Sequence, residues 1–246
     1  MKKLAYTIAE VMTTLTIVGV VAALVMPNFV GNYRRQVYAA TLSNNISSFE
    51  VAMGKLISNS GRENLLSTET WRTIANNTLN SATADADILR FIGRMGEVLP
   101  LADTGVKTVV NYSPNGIKDL DDSDINIASD NDLSSAVPFE AKNGTTYMLN
   151  LFHDTRDESD IMQDGGALTD RAGTVIIDIN GKKSPNIMGR DIFKFALATD
   201  GTLYPYGGED IRIFNGAANA GNDCVNDLNG EACANYLVEN GFKMDY

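Results

Sequence analysis

The sequence of 246 residues is poor in the side chains that many enzymes and zinc sites use. It has one histidine, His153, and two cysteines, and it contains neither a G-x-S-x-G nor an H-E-x-x-H motif. A lone histidine beside an apolar run is more often structural than catalytic. Runs of carboxylates such as Asp121–Asp124 are typical of a solvated surface. We therefore predict that this chain is not an enzyme.

Basic residues are also scarce, with 20 Lys and Arg against 31 Asp and Glu, which gives a net charge of −11. The charge is uneven, because residues 1–60 carry a net charge of +3 and residues 61–246 carry −14. Contacts with nucleic-acid phosphates need Lys and Arg, so the acidic part argues against direct binding of nucleic acid. It suits a soluble, exported head.

No charged residue lies between Val11 and Tyr33, and this run is longer than the roughly 20 apolar residues that cross a bilayer. One alternative is a secretory signal, but only the poor cleavage site Ala22-Ala23-Leu24 lies late in the run. A second alternative is a plain signal anchor, which explains the length but not the acidic Glu10. An ionisable group inside a membrane helix indicates a functional site.

The N-terminal segment Lys3–Glu10 reads KLAYTIAE and resembles the class III signal of type IV pilins and type II secretion pseudopilins. In that family a short basic leader ends at a small residue, usually Gly, and the mature chain begins with a residue that is usually Phe. A Glu follows at the fifth mature position, and a Pro lies about seventeen residues later. Here Glu10 and Pro27 take those two places. Ala5 and Tyr6 replace the usual Gly and Phe, and both changes are conservative.

The resemblance implies a processing route and partners. A membrane prepilin peptidase would remove the leader, residues 1–5, between Ala5 and Tyr6, and Tyr6 would then be N-methylated. Glu10 and Pro27 would act in assembly, on a membrane assembly platform, into a filament of identical or mixed pilin subunits. Basic residues flank the apolar run almost equally, with Lys2 and Lys3 on one side and Arg34 and Arg35 on the other. We expect the N-terminus on the cytoplasmic side, because the two lysines and the starting amine lie close to the apolar edge.

The residues after Pro27 continue the helix with an apolar stripe that steps by four, three, four and three: Leu42, Ile46, Phe49, Met53 and Leu56. A stem over residues 6–58 would be about 80 Å long, and its transmembrane part would span about residues 8–30. We expect the second half to pack on the chain's own head. At Pro27 the missing amide hydrogen predicts a bend or local melting.

The head, residues 59–246, is predicted to hold helical pieces and a small antiparallel sheet. Helical pieces are expected over Trp71–Gly96, with Ile74, Leu79, Ile88, Leu89 and Phe91 in the core. The stretch Pro100–Pro138 is rich in Asp and Asn and is predicted to be loop. Short apolar runs separated by Asn-Gly and Asp-Gly turns predict three or four strands, which are Tyr147–Phe152, Thr174–Ile179, Asp191–Leu197 and Leu203–Tyr206.

Cys224 and Cys233 form a closely spaced pair near the C-terminus. In an exported protein such a pair favours a disulfide over two free thiols or half of a metal site, since no nearby histidine completes a zinc site. Pilins often carry a C-terminal disulfide loop, so the resemblance also implies one over about residues 224–233.

The segment Asp178–Asp191 is the one part of the head with the character of a binding site. Oxygens of Asp178, Asn180 and Asp191 around a glycine turn suit a hard cation such as Ca²⁺. The longer stretch Asp178–Gly207 weakly resembles the C-terminal sheet region of major pseudopilins, some of which bind calcium there. The alternative is that Asp178 and Asn180 only bond to turn backbone, as these residues do in most turns.

The sequence thus predicts an α+β protein with a long N-terminal helix, transmembrane in its first half and amphipathic in its second, packed on a small antiparallel sheet. The predicted function is a structural filament subunit of a type IV pilus-like or type II secretion pseudopilus assembly. The predicted location is the bacterial inner membrane, with the head outside the cytoplasm, and then a filament in the periplasm or at the cell surface. The alternative is a single-pass, membrane-anchored binding protein that does not polymerise.

Overall fold

The computed structural model describes residues 7–71, 84–103, 116–134, 136–151, 171–207, 224 and 229–246. They confirm the predicted α+β class, with a long N-terminal helix and an antiparallel sheet. The helices are α1 (Ile8–Ser60), α2 (Ala84–Val98), α3 (Asn131–Ser134) and α4 (Cys233–Glu239). The strands are β1 (Leu101–Asp103), β2 (Ile117–Lys118), β3 (Asp124–Ile125), β4 (Val137–Ala141), β5 (Thr146–Leu151), β6 (Arg171–Asp178), β7 (Ile192–Ala198) and β8 (Leu203–Pro205).

Helix α1 is one continuous element of 53 residues. It ends at Gly61, which has the left-handed φ of 62° that glycine adopts without strain, and the Gly61 amide bonds back to carbonyls of the last turn. The helix does not break at Pro27, so the predicted local melting is not seen there. A proline removes one backbone hydrogen bond, and the bonds on either side still hold the helix.

The main sheet has six antiparallel strands in the order β1-β4-β5-β6-β7-β8, where three or four were predicted. The four predicted strands correspond to β5 to β8, and β1 and β4 were missed. Pro138 hid β4, because proline rarely fits a strand that is paired on both sides. Among the described residues, Pro138 pairs only with Met148 on β5, because β1 pairs with Glu140 and Ala141.

The sequence predicted that Pro100–Pro138 is a surface insertion or loop, but the structure shows regular elements within it. It contains β1, the β2–β3 hairpin, the short helix α3 and the start of β4. Three of its large apolar residues, Ile117, Ile127 and Leu133, are buried, and they pack with Met148 and Ile176 of the sheet. A few scattered apolar side chains thus fix this segment on the sheet, although its composition lacks a periodic signal.

The sheet packs one face against the second half of α1. Cross-strand neighbours Tyr147, Ile177 and Phe193 belong to one core with Leu42 and Phe49 of the helix. The rings of Phe49 and Tyr147 lie 5.3 Å apart. The predicted stripe is confirmed, with Leu42, Phe49, Met53 and Leu56 buried and Ile46 half-buried against the same core.

Helix α2 packs beside this core through an apolar face of its own. Phe91, Ile92 and Met95 are buried, and Trp71 meets Phe91 edge to face at 6.1 Å. The prediction of a core position for Leu89 was wrong, since it is 48 % exposed. At 100° per residue Leu89 lies roughly 110° from the centre of the buried face. The core predictions for Ile74, Leu79 and the side chain of Ile88 lie outside the described residues.

Candidate functional site

The first half of α1 is an apolar surface that the head does not cover. Its large apolar side chains are between 44 % exposed (Val30) and 81 % exposed (Ile8). Thirteen such residues lie along this part: Ile8, Val11, Met12, Leu15, Ile17, Val18, Val20, Val21, Leu24, Val25, Met26, Phe29 and Val30. Burial of each would contribute about 1.5–3 kcal/mol, so together they favour leaving water by on the order of 20 kcal/mol or more.

The length of this surface matches a bilayer. The residues from Ile8 to Val30 rise about 33 Å, and the hydrocarbon core of a bilayer is about 30 Å thick. Among the described residues, α1 is the one helix long and apolar enough to cross a membrane, and none of its most apolar stretch is buried. Ala39 is the first residue of the stem that the head buries.

Glu10 lies at the start of this surface in a reciprocal hydrogen-bonded cap. The Thr7 amide and hydroxyl both donate to Oε2 of Glu10 at 2.9 Å, and the Glu10 amide donates to Oγ1 of Thr7 at 3.3 Å. This capping box satisfies amide groups that otherwise lack partners at a helix start. The sequence signal for it was T-x-x-E before an apolar run, and sequence analysis did not use it.

The threonines inside the apolar half also satisfy their own polar groups. The hydroxyls of Thr13, Thr14 and Thr16 donate to the carbonyls of Ala9, Val11 and Met12, at 2.8, 2.9 and 2.8 Å. Hydroxyls bonded back to their own helix need no water. This part of α1 therefore presents no unsatisfied hydroxyl to an apolar environment. The predicted processing residues, Ala5 and Tyr6, lie outside the described residues.

A buried polar group fastens the other half of the stem to the head. Nδ2 of Asn45 donates to Oγ1 of Thr145 at 2.8 Å, and Oδ1 of Asn45 accepts from Nδ2 of Asn143 at 2.9 Å. Further along, Oε1 of Glu50 accepts from the Leu203 amide at 3.0 Å, so the helix satisfies a backbone group of β8. Sequence analysis missed these contacts, because a polar residue between apolar positions does not reveal its partners.

The predicted calcium residues come together at one end of the sheet, where they bond to one another and to backbone. Oδ1 of Asp178 accepts from the amides of Asn180 and Gly181 at 3.2 and 2.9 Å. Oδ1 of Asp191 accepts from the Ile187 amide at 2.6 Å, and its Oδ2 accepts from Nδ2 of Asn180 at 2.9 Å. Burial raises the pKa of Asp191 to about 7, and these hydrogen bonds oppose the rise.

This arrangement favours the turn interpretation of Asp178 and Asn180. Within the ranges that the structure describes, no group of three or more His, Cys, Asp or Glu side chains is placed to hold a metal ion. Calcium binding at Asp178, Asn180 and Asp191 stays a prediction. It is tested by whether millimolar Ca²⁺ raises the melting temperature of the protein, since a ligand of the folded state stabilises it.

Cys224 and Cys233 form a disulfide with a Cα–Cα distance of 4.5 Å, and both are buried. The neighbouring backbone packs tightly, since a Cβ on Gly230 would lie 2.2 Å from the carbonyl oxygen of Met188. Nζ of Lys194, a buried residue, meets Oε1 of Glu231 at 2.7 Å. The predicted disulfide is therefore part of a segment that is fixed on the sheet.

Comparison with protein-family models, with curated proteins and with solved structures finds no match. The functional argument consequently depends on the geometry of the chain itself. Its most distinctive feature is the exposed apolar half of α1, with the Thr7–Glu10 cap at its start. His153 and the carboxylates at 157, 158 and 160 lie outside the described residues.

Proposed function

We propose that this chain is a structural, non-enzymatic subunit of a filament of the type IV pilus or type II secretion pseudopilus kind. The observation that carries the proposal is the division of one unbroken helix into two halves. The second half buries one face against the head, and the first half exposes a full apolar surface over about 33 Å. The part of the head that the structure describes does not cover that surface.

Two environments satisfy the exposed half in turn. Before assembly, when the subunit is inserted in the inner membrane with the head outside the cytoplasm, lipid covers it. Other copies of the same helix cover it when subunits assemble into a filament. Because α1 has no break between its two halves, the apolar half and the head move as one piece, which suits a subunit that is extracted from lipid into a bundle.

Glu10 is the proposed assembly residue. Cleavage after Ala5 by a prepilin peptidase would leave a positive amine on Tyr6, at the end of an apolar helix. Inside a bundle this amine needs an opposite charge, since a buried charge without its partner costs several kcal/mol. We propose that Glu10 pairs with the Tyr6 amine of an adjacent copy.

The second candidate is a single-pass anchored binding protein that stays monomeric. The capping box favours it, because Thr7 donates two hydrogen bonds to the Glu10 carboxylate within one chain and no second copy is required. A cap and an intermolecular charge pair make different demands. The cap works with glutamine as well as with glutamate, whereas the charge pair needs the carboxylate.

Three variants in the native cell separate these accounts. Glu10→Gln keeps the cap and removes the charge, whereas Thr7→Ala removes the cap and keeps the charge. Glu10→Ala removes both. The measurement is the ladder of oligomers that a short chemical crosslinker produces in intact cells. For the filament we expect Glu10→Gln and Glu10→Ala to lose the ladder at normal membrane levels of processed protein. Thr7→Ala should keep most of it, since a lost cap costs only about 0.5–2 kcal/mol.

Two outcomes contradict the proposal. Normal oligomers in Glu10→Gln would show that the charge pair is not the basis of assembly. The absence of oligomers in the wild-type cell, with the chain still in the membrane, would favour the monomeric anchor. A loss of oligomers in Thr7→Ala and Glu10→Ala, with normal oligomers in Glu10→Gln, would assign the effect to the helix cap.

A further inference from the structure

Four exposed basic side chains lie where the stem leaves the head, although residues 61–246 carry a net charge of −14. They are Arg34 and Arg35 on α1 and Lys183 and Arg190 on the loop between β6 and β7. We call these four residues the membrane-proximal basic cluster. Their position at the end of the apolar surface, and not on the far side of the head, is the observation that needs an explanation.

Two contacts place the loop beside the two stem arginines. Nδ2 of Asn180, at the start of the loop, lies 3.4 Å from the hydroxyl of Tyr38 on α1. Arg34 and Arg35 precede Tyr38 by four and three residues, so they lie on the same face of the helix, one turn closer to the apolar half. At the end of the loop, the Tyr246 hydroxyl donates to the Gly189 carbonyl at 2.6 Å. Burial raises the pKa of Tyr246, whereas the charges of Arg190 and Arg35 act to lower it, so both guanidinium groups lie near this hydroxyl.

The charges of the cluster are not neutralised within the part of the chain that the structure describes. None of the ion pairs found there includes any of the four residues. Asp191, next to Arg190, is buried and accepts hydrogen bonds from the Ile187 amide and from Nδ2 of Asn180, and the charge of Arg190 acts to lower its pKa. Two other acidic side chains of nearby segments have lysine partners of their own. Lys182 pairs with Glu140 at 3.5 Å, and Lys118 pairs with Asp122 at 3.1 Å.

The cluster lies at the level of lipid headgroups if the apolar surface fills the hydrocarbon core. The headgroup layer on each side of a bilayer is roughly 5–8 Å thick. The helix rises about 12 Å from Val30 to Tyr38. The loop therefore lies a few ångströms outside the headgroups, within the Debye length of about 8 Å at physiological salt. Tyr33, which is 61 % exposed, lies between these levels, where tyrosine is enriched in membrane proteins.

We propose that the membrane-proximal basic cluster docks the head on the anionic phospholipid headgroups of the bilayer that holds the stem. This rests on the membrane insertion proposed above. The stem arginines fix the depth of the helix, and Lys183 and Arg190 hold the head down on the lipid surface. The acidic remainder of the head is repelled by the same surface, so the cluster also orients the head.

The test uses the full chain in vesicles of phosphatidylcholine alone or mixed with phosphatidylglycerol. A fluorophore on Ser184→Cys reports contact with a nitroxide quencher attached to lipid headgroups, and the native cysteines are already bonded to each other. We expect strong quenching only in the anionic vesicles, and loss of it in about 1 M salt, where the Debye length is about 3 Å. Lys183→Gln/Arg190→Gln should lower the docking equilibrium constant about tenfold or more.

Lys55→Gln/Arg62→Gln is the matched control. It removes the same charge from two exposed basic residues at the other end of the stem, roughly 30 Å away, and it should leave quenching unchanged. Equal quenching in both kinds of vesicle, or equal loss in both double variants, would overturn the inference. Quenching that rises with protein density in neutral vesicles would also overturn it and assign the cluster to a second copy.

Extraction at alkaline pH distinguishes this inference from the proposed function. A chain that alkaline carbonate removes from the vesicles has not inserted, and the membrane-inserted state then fails together with docking. A chain that resists extraction but shows no dependence on lipid charge contradicts only the docking of the head.

Discussion

Asn45 illustrates at the residue scale how one polar side chain fixes the stem on the head. It is fully buried on an otherwise apolar face of α1, and its amide bonds to Thr145 and to Asn143. The backbone carbonyl oxygen of Asn45 also accepts a hydrogen bond from the Tyr147 hydroxyl at 3.4 Å. A buried polar group is stabilising only in the one alignment that satisfies it, so Asn45 selects the register of the helix on the sheet.

We predict that Asn45→Ala lowers the free energy of unfolding by about 1–3 kcal/mol. The substitution leaves the oxygen of the buried Thr145 hydroxyl without its donor from the helix, which costs the desolvation of that group, whereas the amide of the exposed Asn143 can turn to water. Denaturant unfolding of the detergent-solubilised chain measures the change. The exposed neighbour Asn44→Ala is the control and should change stability by less than about 0.5 kcal/mol. Equal effects of the two substitutions would contradict this role of Asn45.

Asp191 predicts a dependence of stability on pH. Burial raises its pKa in the folded state from 3.8 to about 7, so folding favours the neutral acid. The contribution of this group is fully present below about pH 4 and is lost as the pH rises through 7. Melting temperatures from pH 4 to 8 should therefore fall more steeply in the wild type than in Asp191→Asn. A variant with the same slope as the wild type would show that Asp191 titrates near its ordinary value.

The residues of the candidate site differ in how far sequence predicted them. For Asp178 the sequence left two interpretations open, a ligand of a cation or an acceptor of hydrogen bonds from turn amides. The structure shows the hydrogen bonds, which come from the amides of Asn180 and Gly181. The Thr7–Glu10 cap had a visible motif, because it depends on a spacing of three along one helix. The pairing of Asn45 with Asn143 and Thr145 had none, because it joins residues about 100 positions apart.

At the scale of elements, periodic segments were predicted well and short ones were not. The stripe on α1 repeats a regular pattern, the strands β5 to β7 lie in apolar runs of six to eight residues, and the structure confirms them. The three-residue strand β8 was also predicted, because an Asp-Gly turn precedes its apolar run. Strand β1 has three residues, β2 and β3 have two each, and β4 contains a proline. Segments of that length carry no measurable period, and their pairing is decided by the strands beside them.

The disulfide predicts how the C-terminal segment responds to reduction. Removing both cysteines with Cys224→Ser/Cys233→Ser should lower the free energy of unfolding by about 2–4 kcal/mol. Non-reducing peptide mapping of the native protein should also show one crosslinked peptide. Two freely alkylatable thiols in that protein would contradict the crosslink. A melting temperature that is the same for the variant and the wild type would show that the tight packing around Gly230 holds the segment without the bond.

At the scale of the whole molecule, the chain is divided into an apolar rod and an acidic head. Composition predicted this division, because the charge-free run and the excess of Asp and Glu lie in different parts of the sequence. Composition did not predict the membrane-proximal basic cluster. The two stem arginines and the two basic residues of the loop are about 150 positions apart along the chain. The packing of the loop beside Tyr38 brings them together.

The central claim is that the apolar half of α1 is processed and used as a pilin-type assembly segment. Mass spectrometry of the N-terminus of the protein, purified from the membranes of its native cell, tests this most directly. The account predicts a chain that begins at Tyr6, with one added methyl group and with Glu10 fifth from the new end. A chain that still begins at Met1 would contradict it, and so would a cut within the apolar run near Ala23.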